Sequence, residues 1–295
     1  MTPVPELRLL RSFVAVATAG SMSRAAAEQH ISQQALSQQL RQLEDLLGVA
    51  LLERSNRGAV PTAAGRTLLV EARRVLVAAE RAVERTVQAA AGEGAVLRLG
   101  HTLTTAADLV PAITAHLATV APGTRLLALE LLARDLPGAL LRGEVDLALL
   151  PHQELGPELT GTPVAAVALC VAVAADDPLA EHGRVAVTAL APRPVHVWPR
   201  ETAPGYHDAV RAAFAAAGVE PRLDTSAAGS AVWARIAQGP GIGVIAASQA
   251  ASLPASIATR PLDPEPPPMR IDLAWRTDDP PAALDTVRAA LAGGI

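Results

Sequence analysis

SMSRAAAEQHISQQALSQQL, residues 21–40, reads as two short helices joined by a tight turn. Ser23 is the predicted N-cap of the first helix, over residues 24–29, because a serine hydroxyl there can accept from the unpaired N–H groups of the first turn. Met22, just ahead of it, is placed to pin the incoming chain. Ala25, Ala26 and Ala27 keep that helix slim, so a second helix can approach it closely. His30 and Ile31 break the pattern, and Ser32 is the predicted cap of the second helix. There Leu36, Leu40, Leu43 and Leu47 recur at helical spacing and form an inward face. The opposite face carries Gln33, Gln34, Ser37, Gln38 and Arg41. A helix with an amide-rich outer side, clamped by a small-residue neighbour, is what reading a DNA major groove requires.

The flanking sequence completes a small domain. Residues 5–19 form an amphipathic helix with Leu7, Leu10, Phe13, Val14 and Ala17 on its core side, and Gly20 closes it. After Gly48, residues 51–54 and 58–61 flank a turn signal at Ser55-Asn56-Arg57. That predicts a hairpin, or wing, with Arg54 and Arg57 at its tip, suited to phosphates or a minor groove. Thr62 can cap the next helix, which is predicted to run to about Ala90, roughly 40 Å at 1.5 Å per residue. Leu69, Leu76 and Val83 lie seven apart with Ala72 and Ala79 between them, a seam that fits a partner helix. Packing onto its own domain is the alternative, but one small head reads little DNA, which favours dimerisation. Ala91-Gly92-Glu93-Gly94 is the expected hinge.

Residues 1 to about 92 resemble the N-terminal domain of LysR-type transcriptional regulators. The resemblance lies in residues 9–13 (LLRSF), 20–26 (GSMSRAA), 32–40 (SQQALSQQL), Leu43-Glu44, Leu47-Gly48, 51–54 (LLER) and 61–65 (PTAAG). Two positions depart from the family pattern. Gln34 stands where the family often has proline, which bears on base preference. Leu52 stands where phenylalanine is common, a packing variant. The candidate DNA contacts are Gln33, Gln34, Ser37, Gln38 and Arg41, with Ser23, Arg24 and Ser32 at the two helix starts and Arg54 and Arg57 on the wing. Glutamine can pair bidentately with adenine, and arginine with guanine or a phosphate.

Past the hinge the pattern changes to alternating strands and helices. Strands are predicted at 96–100, 125–131, 147–150, 165–174, 195–198, 222–225, 241–245 and 270–275. Helices are predicted at 105–117, 135–142, 206–217, 230–238 and 282–292. The first of these form a βαβαβ unit with a mostly parallel sheet, and the last strand and helix return to it, giving two lobes. Residues 96–100 (VLRLG), 143–148 (GEVDLA) and 239–245 (GPGIGVI) resemble the effector domain of the same family, whose fold is similar to periplasmic binding proteins. The expected architecture is therefore α/β overall. It comprises a winged helix-turn-helix domain at 1–62, a linker and dimerisation helix at 63–92, and a two-lobed effector domain at 93–295. Lobe 1 is expected at about 95–164 and 268–295, and lobe 2 at about 165–267.

Ligands in open α/β sheets bind beyond the carboxyl ends of strands. The loop after the first strand, His101-Thr102-Leu103-Thr104-Thr105, opens a helix, so His101, Thr102 and Thr104 are candidates to hold a carboxylate. Ordinary capping by Thr104 or Thr105 is the alternative. In the second lobe Arg200, Glu201 and Thr202 follow the 195–198 strand, and Ser226 and Ser230 border the same cleft. With Pro204-Gly205-Tyr206-His207-Asp208, this region resembles a subset of the family whose effectors are often aromatic acids. Arg200 is then a counter-ion or a solvated surface residue, evenly weighed. Leu131-Leu132-Ala133 departs from the small polar stretch usual after the second strand. Either the effector is partly apolar there or ligand control has been lost.

Composition narrows the classes. Half of the 295 residues are apolar, enough for large cores. All 25 basic residues are arginine, which excludes Schiff-base chemistry and a phosphate-loop lysine. The single Cys170 sits in an apolar strand, excludes an internal disulfide, and reads as a packed thiol. Residues 1–92 carry 11 Arg against 8 acids and residues 93–295 carry 14 against 21, a weakly basic front on an acidic body. No apolar run is long enough to span a membrane and no signal pattern opens the chain, so a cytoplasmic location is expected. The run at 239–243 (GPGIG) precedes a strand instead of following one, and so fails the dinucleotide-binding context. No metal, cofactor or catalytic constellation is expected. The reading is a regulator of promoter DNA, a homodimer or homotetramer responsive to a small-molecule effector. The competing reading is a solute-binding or enzymatic α/β protein with an accessory helical head.

Overall fold

A computed structural model describes residues 4–55, 58–91, 94–227, 229 and 231–292. The chain divides into two compact units, Met1–Glu93 and Gly94–Ile295.

The first unit contains α1 (Leu7–Ala19), α2 (Met22–Glu28), α3 (Gln33–Leu47), β1 (Leu52–Ser55), β2 (Gly58–Pro61) and α4 (Ala63–Ala91). Gly20 and Gly48 end α1 and α3 in the left-handed conformation, at φ 64 and 68, which glycine adopts without steric cost. The cap of α2 is a correction. Ser21, not Ser23, is the extended residue before the helix, and its hydroxyl accepts from Arg24 N at 3.4 Å. Met22 is therefore the first helical residue. The cap is the extended residue just before the helix, and Ser23 lies two residues further on, already inside α2. Ser32 caps α3 as expected, accepting from Ala35 N at 3.1 Å. Between the helices His30 takes φ 55, and the N–H groups of His30 and Ile31 bond back to Ala27 and Ala26. This paired closure lets α2 end sharply although the left-handed residue is not glycine.

Leu36, Leu40 and Leu43 are fully buried against Phe13, Val16 and Ala25, while Leu47 is half-buried. The Ser12 hydroxyl is buried among the helices. It bonds to the side-chain carbonyl of Gln39, with Gln29 Oε1 3.3 Å away, so one polar group ties α1 to both α2 and α3. Leu52 is buried, as its strand position requires. The wing pairs antiparallel from Leu52–Pro61 to Ser55–Gly58; Asn56 and Arg57 lie outside the described residues. Thr62 caps α4 through Gly65 N at 3.0 Å. The expected seam on α4 splits in two. Ala72 and Leu76 are buried in the unit's own core with Leu69 packed against it, whereas Val83 and Val87 are 65% and 63% exposed. Of the expected hinge, Gly92 and Glu93 also lie outside the described residues.

The second unit contains β3 (Val96–His101), α5 (Leu103–Ala106), α6 (Leu109–Val120), β4 (Arg125–Glu130), α7 (Leu136–Leu141), β5 (Leu147–Pro151), β6 (Leu159–Val167) and β7 (Leu169–Ala174). It continues through β8 (Val185–Ala186), α8 (Val187–Leu190), β9 (Pro194–His196), α9 (Pro204–Ala215), β10 (Arg222–Asp224), α10 (Ala231–Gln238), β11 (Ile242–Ala246), β12 (Ile257–Asp263), β13 (Met269–Arg276) and α11 (Leu284–Ala292). One sheet has the order β4-β3-β5-β13-β6 and the other β10-β9-β11-β7-β12-β8. The βαβαβ unit is parallel as expected, with β3 running parallel to β4 and β5, and β13 and β6 extend the sheet antiparallel.

Two of the expected elements are divided. The helix expected at 105–117 is broken into α5 and α6, because Pro111 has no N–H to bond to the carbonyl of Ala107. The strand expected at 165–174 is two strands in different sheets, parted at Ala168. The chain crosses between sheets there and returns between β12 and β13. β7 is buried throughout and β6 is a partly exposed edge strand, but residues 164–174 are all apolar, so periodicity carries no mark of the change of sheet. β12 was not expected; Pro261 within it masks the strand signal.

Candidate nucleic-acid interface and effector cavity

On α3, Gln33, Gln34, Gln38 and Arg41 are exposed and Ser37 is half-buried, on the side away from Leu36, Leu40 and Leu43. Ser32, at the helix start, is exposed too. Ser23 and Arg24 are exposed on α2; Ser23 Oγ stands 3.5 Å from Gln33 Oε1 and Arg24 Nε 4.0 Å from Glu28. The candidate residues of the two helices thus share one polar surface. Arg54 belongs to β1 by its backbone, and Arg57 lies outside the described residues. The wing is tied to α3 by Glu44, whose carboxylate accepts from Leu51 N at 2.8 Å and Leu52 N at 3.3 Å. Glu44 went unread as a wing anchor, since nothing local shows a helix carboxylate reaching a strand.

In the second unit a cavity of about 520 Å³ lies between the two sheets. The first lobe lines it with Thr102, Leu103 and Thr104 after β3, Glu130–Ala133 after β4, and Pro151 at the end of β5. The second lobe supplies His196–Trp198 from the end of β9, Thr202, Ala203 and Tyr206 at the start of α9, and Gly229, Val232 and Trp233 at α10. Gly243, Ile245 and Gln249 complete it. The strand ends thus converge where open α/β sheets bind ligands. The lobes meet closely: a methyl group on Gly205 would sit 2.4 Å from the His152 carbonyl oxygen, and Arg134 N donates to Thr202 O at 3.2 Å.

The candidate effector residues separate into two groups. Thr102, Thr104 and Thr202 line the cavity. His101 is buried behind them, with its Nδ1 3.2 Å from Thr102 O, and is not part of the lining. Thr102 N donates to Thr105 Oγ1 at 3.1 Å, so the local capping alternative holds at Thr105. α5 is a single turn of four residues, too short for the expected helix-terminus carboxylate site.

Arg200 is a correction. Its guanidinium is 65% exposed and makes a bidentate pair with Asp208, both contacts at 2.8 Å, away from the cavity lining. The pair holds the Asp208 carboxyl below the usual carboxylate range. Asp208 lies eight residues on, about one turn into α9, and a solvated partner at that range outcompetes a desolvated cavity position. Glu201 is exposed and not in the lining. Ser226 is likewise outside it: its hydroxyl and N–H bond to Asp224 and lower that carboxyl. Ser230 lies outside the described residues.

The cavity residues that were not among the candidates include His196, Trp198, Trp233, Gln249 and Glu130, and Tyr206, which was read only as part of the stretch at 204–208. His196 Nδ1 stands 3.1 Å from Asp224 Oδ2, at ion-pair distance but outside hydrogen-bond geometry. Tyr206 donates its hydroxyl to Val244 O at 2.7 Å, and burial pushes its pKa well above the ordinary tyrosine value. One signal was available: a chain with so few aromatic residues places three of them here. Among the described residues no group of His, Cys, Asp and Glu could hold a metal, and no helix is long and apolar enough to cross a membrane.

A leucine-anchored helix presenting amides beside a two-stranded wing, in a chain that also carries a two-sheet body with a cavity between its lobes, defines a ligand-responsive DNA-binding protein. Residues 7–66 match the family described as "Bacterial regulatory helix-turn-helix protein, lysR family", and residues 90–294 match "LysR substrate binding domain". The chain belongs to the LysR family of transcriptional regulators, which are DNA-binding proteins and not enzymes. Similar relatives include the HTH-type transcriptional regulator ClcR of Pseudomonas putida, 34% identical over 74% of each chain. Another is TfdS of Cupriavidus pinatubonensis, 33% identical over 83% of this chain and 84% of that one. The crystal structure of CbnR, a LysR family transcriptional regulator, superposes with a TM-score of 0.78 at 27% identity, covering 97% of this chain and 99% of the other. The same score and identity hold for full-length CbnR complexed with its target DNA.

Proposed function

We propose that the protein binds promoter DNA through the start of α3. Gln33, Gln34, Ser37, Gln38 and Arg41 meet base edges, and Ser23, Arg24, Ser32, Arg54 and Arg57 meet phosphates or the neighbouring minor groove. One observation carries this reading: the exposed amides of α3 lie opposite three fully buried leucines, so the helix cannot roll to hide them. The functional divisions are a DNA-binding head at 1–62, a linker at 63–92 and an effector domain at 93–295. A homodimer or homotetramer uses the exposed Val83 and Val87 of α4, which need a partner to bury them. The protein works in the cytoplasm. A small molecule in the inter-lobe cavity favours one of two assembly states on DNA, which requires only that it bind them unequally.

The test is footprinting on DNA upstream of the protein's own gene, across salt concentrations, with wild type and a Gln34→Ala, Gln38→Ala, Arg41→Ala triple variant. The expected result is a salt-sensitive protected site lost in the variant while its helical content is unchanged. An unaltered footprint in the variant would refute the assignment of α3.

A further inference from the structure

The chain holds six aromatic residues, 3 Trp, 2 Phe and 1 Tyr, and the cavity takes two of the tryptophans and the only tyrosine. Tyr206 has committed its hydroxyl to Val244 O, so it offers the cavity ring surface and not a donor. The first lobe adds Leu131, Leu132 and Ala133. Such walls favour a flat, apolar ligand body, and about 520 Å³ is ample for one or two rings.

The charge pattern is the reverse of an acid-binding site. No arginine lines the cavity among the described residues, and apart from the imidazole of His196 its one ionisable side chain with a charge near neutrality is Glu130. Glu130 is exposed and has no ion pair among the described residues. The arginines of the neighbouring loops are committed elsewhere. Arg200 pairs with Asp208 at 2.8 Å, Arg235 lies 3.4 Å from Asp224 and Arg134 3.6 Å from Asp135. From Gly94 onward the chain has 14 Arg against 20 Asp and Glu, so the long-range field also repels anions. A carboxylate entering here would lose hydration without gaining a counter-ion. A cation would meet the Glu130 carboxylate and the π-systems of two indoles.

We propose that this cavity takes an aromatic ligand carrying a protonated amine, and discriminates against aromatic carboxylates of the same size. The inference rests on the reading of the cavity as the effector site. The full chain is titrated with three matched probes: phenethylamine, 2-phenylethanol and 3-phenylpropionate. Intrinsic tryptophan fluorescence reports occupancy, since two of the three tryptophans line the site. The amine is expected to bind about tenfold tighter than the acid, with the alcohol between them. Glu130→Gln is expected to weaken the amine by roughly three- to tenfold and leave the alcohol unchanged. Trp233→Ala is expected to weaken all three. An acid that binds as tightly as the amine, or an amine indifferent to Glu130→Gln, overturns the ligand class while leaving the cavity as a binding site. Saturation by none of the probes at about 10 mM, or binding untouched by Trp233→Ala, removes the cavity reading and the ligand class with it.

Discussion

Gly65→Ala tests how the DNA-binding head is joined. Gly65 lies in the first turn of α4, and a methyl group there would sit 2.0 Å from the Leu51 carbonyl oxygen and 3.3 Å from Pro61 Cβ. An ordinary carbon–oxygen contact is about 3.3 Å, so the start of α4 and the residue leading into β1 must part by roughly 1.3 Å. That oxygen also accepts from Thr62 N at 3.0 Å, while Leu51 N donates to Glu44 at 2.8 Å. The joint therefore links α3, the wing and α4 through one residue, with backbone on the side that must yield. Overpacking a core costs about 1–3 kcal/mol, and a clash with backbone belongs at the upper end. At about 4–8 °C per kcal/mol for a unit of this size, Tm should fall by roughly 12–24 °C. Calorimetry of the full chain measures it, following the transition that nonspecific DNA shifts at low salt. A fall below about 3 °C would mean that α4 and the wing are not in the described contact.

Ser21→Ala should destabilise the N-terminal unit by about 1 kcal/mol in urea unfolding and Ser23→Ala by less than about 0.5 kcal/mol, because only the Ser21 hydroxyl caps α2. Arg193 holds the Asp177 carboxyl below its usual range through a bidentate, mostly buried pair. A depressed folded value gives stability that is present above the ordinary aspartate value of about 3.9 and is lost as pH falls toward the folded one. Arg193→Gln should therefore lower Tm at neutral pH and flatten its decline below about pH 4; an unchanged acid limb would count against the pair. Burial pushes the Cys170 thiol up to about 11, so a thiol reagent at pH 8 should label the unfolded chain and spare the folded one.

Local rules made the head legible. The period of Leu36, Leu40 and Leu43, the glycine stops at Gly20 and Gly48, and the serine before α3 all depend on residues within a few positions of each other. They failed where two answers were locally equal. Ser21 and Ser23 are both good caps, and only the φ and ψ of Ser21 choose between them. The cavity was legible in position but not in content. Strand ends marked the loops at Thr102 and Thr202, yet Arg200 turned to Asp208, and the aromatic wall came from residues nearly thirty apart on α9 and α10.

The amino-acid pattern by itself determined the order of elements in the first unit, the side of α3 that faces outward and the absence of lysine chemistry, since each follows from spacing or composition. The tertiary structure alone decided which sheet β6 and β7 join, that Glu44 braces the wing, and that one carboxylate and two indoles line the same cavity. Those outcomes depend on contacts between segments distant in the chain, where burial and charge pairing select one partner from several that local spacing treats alike.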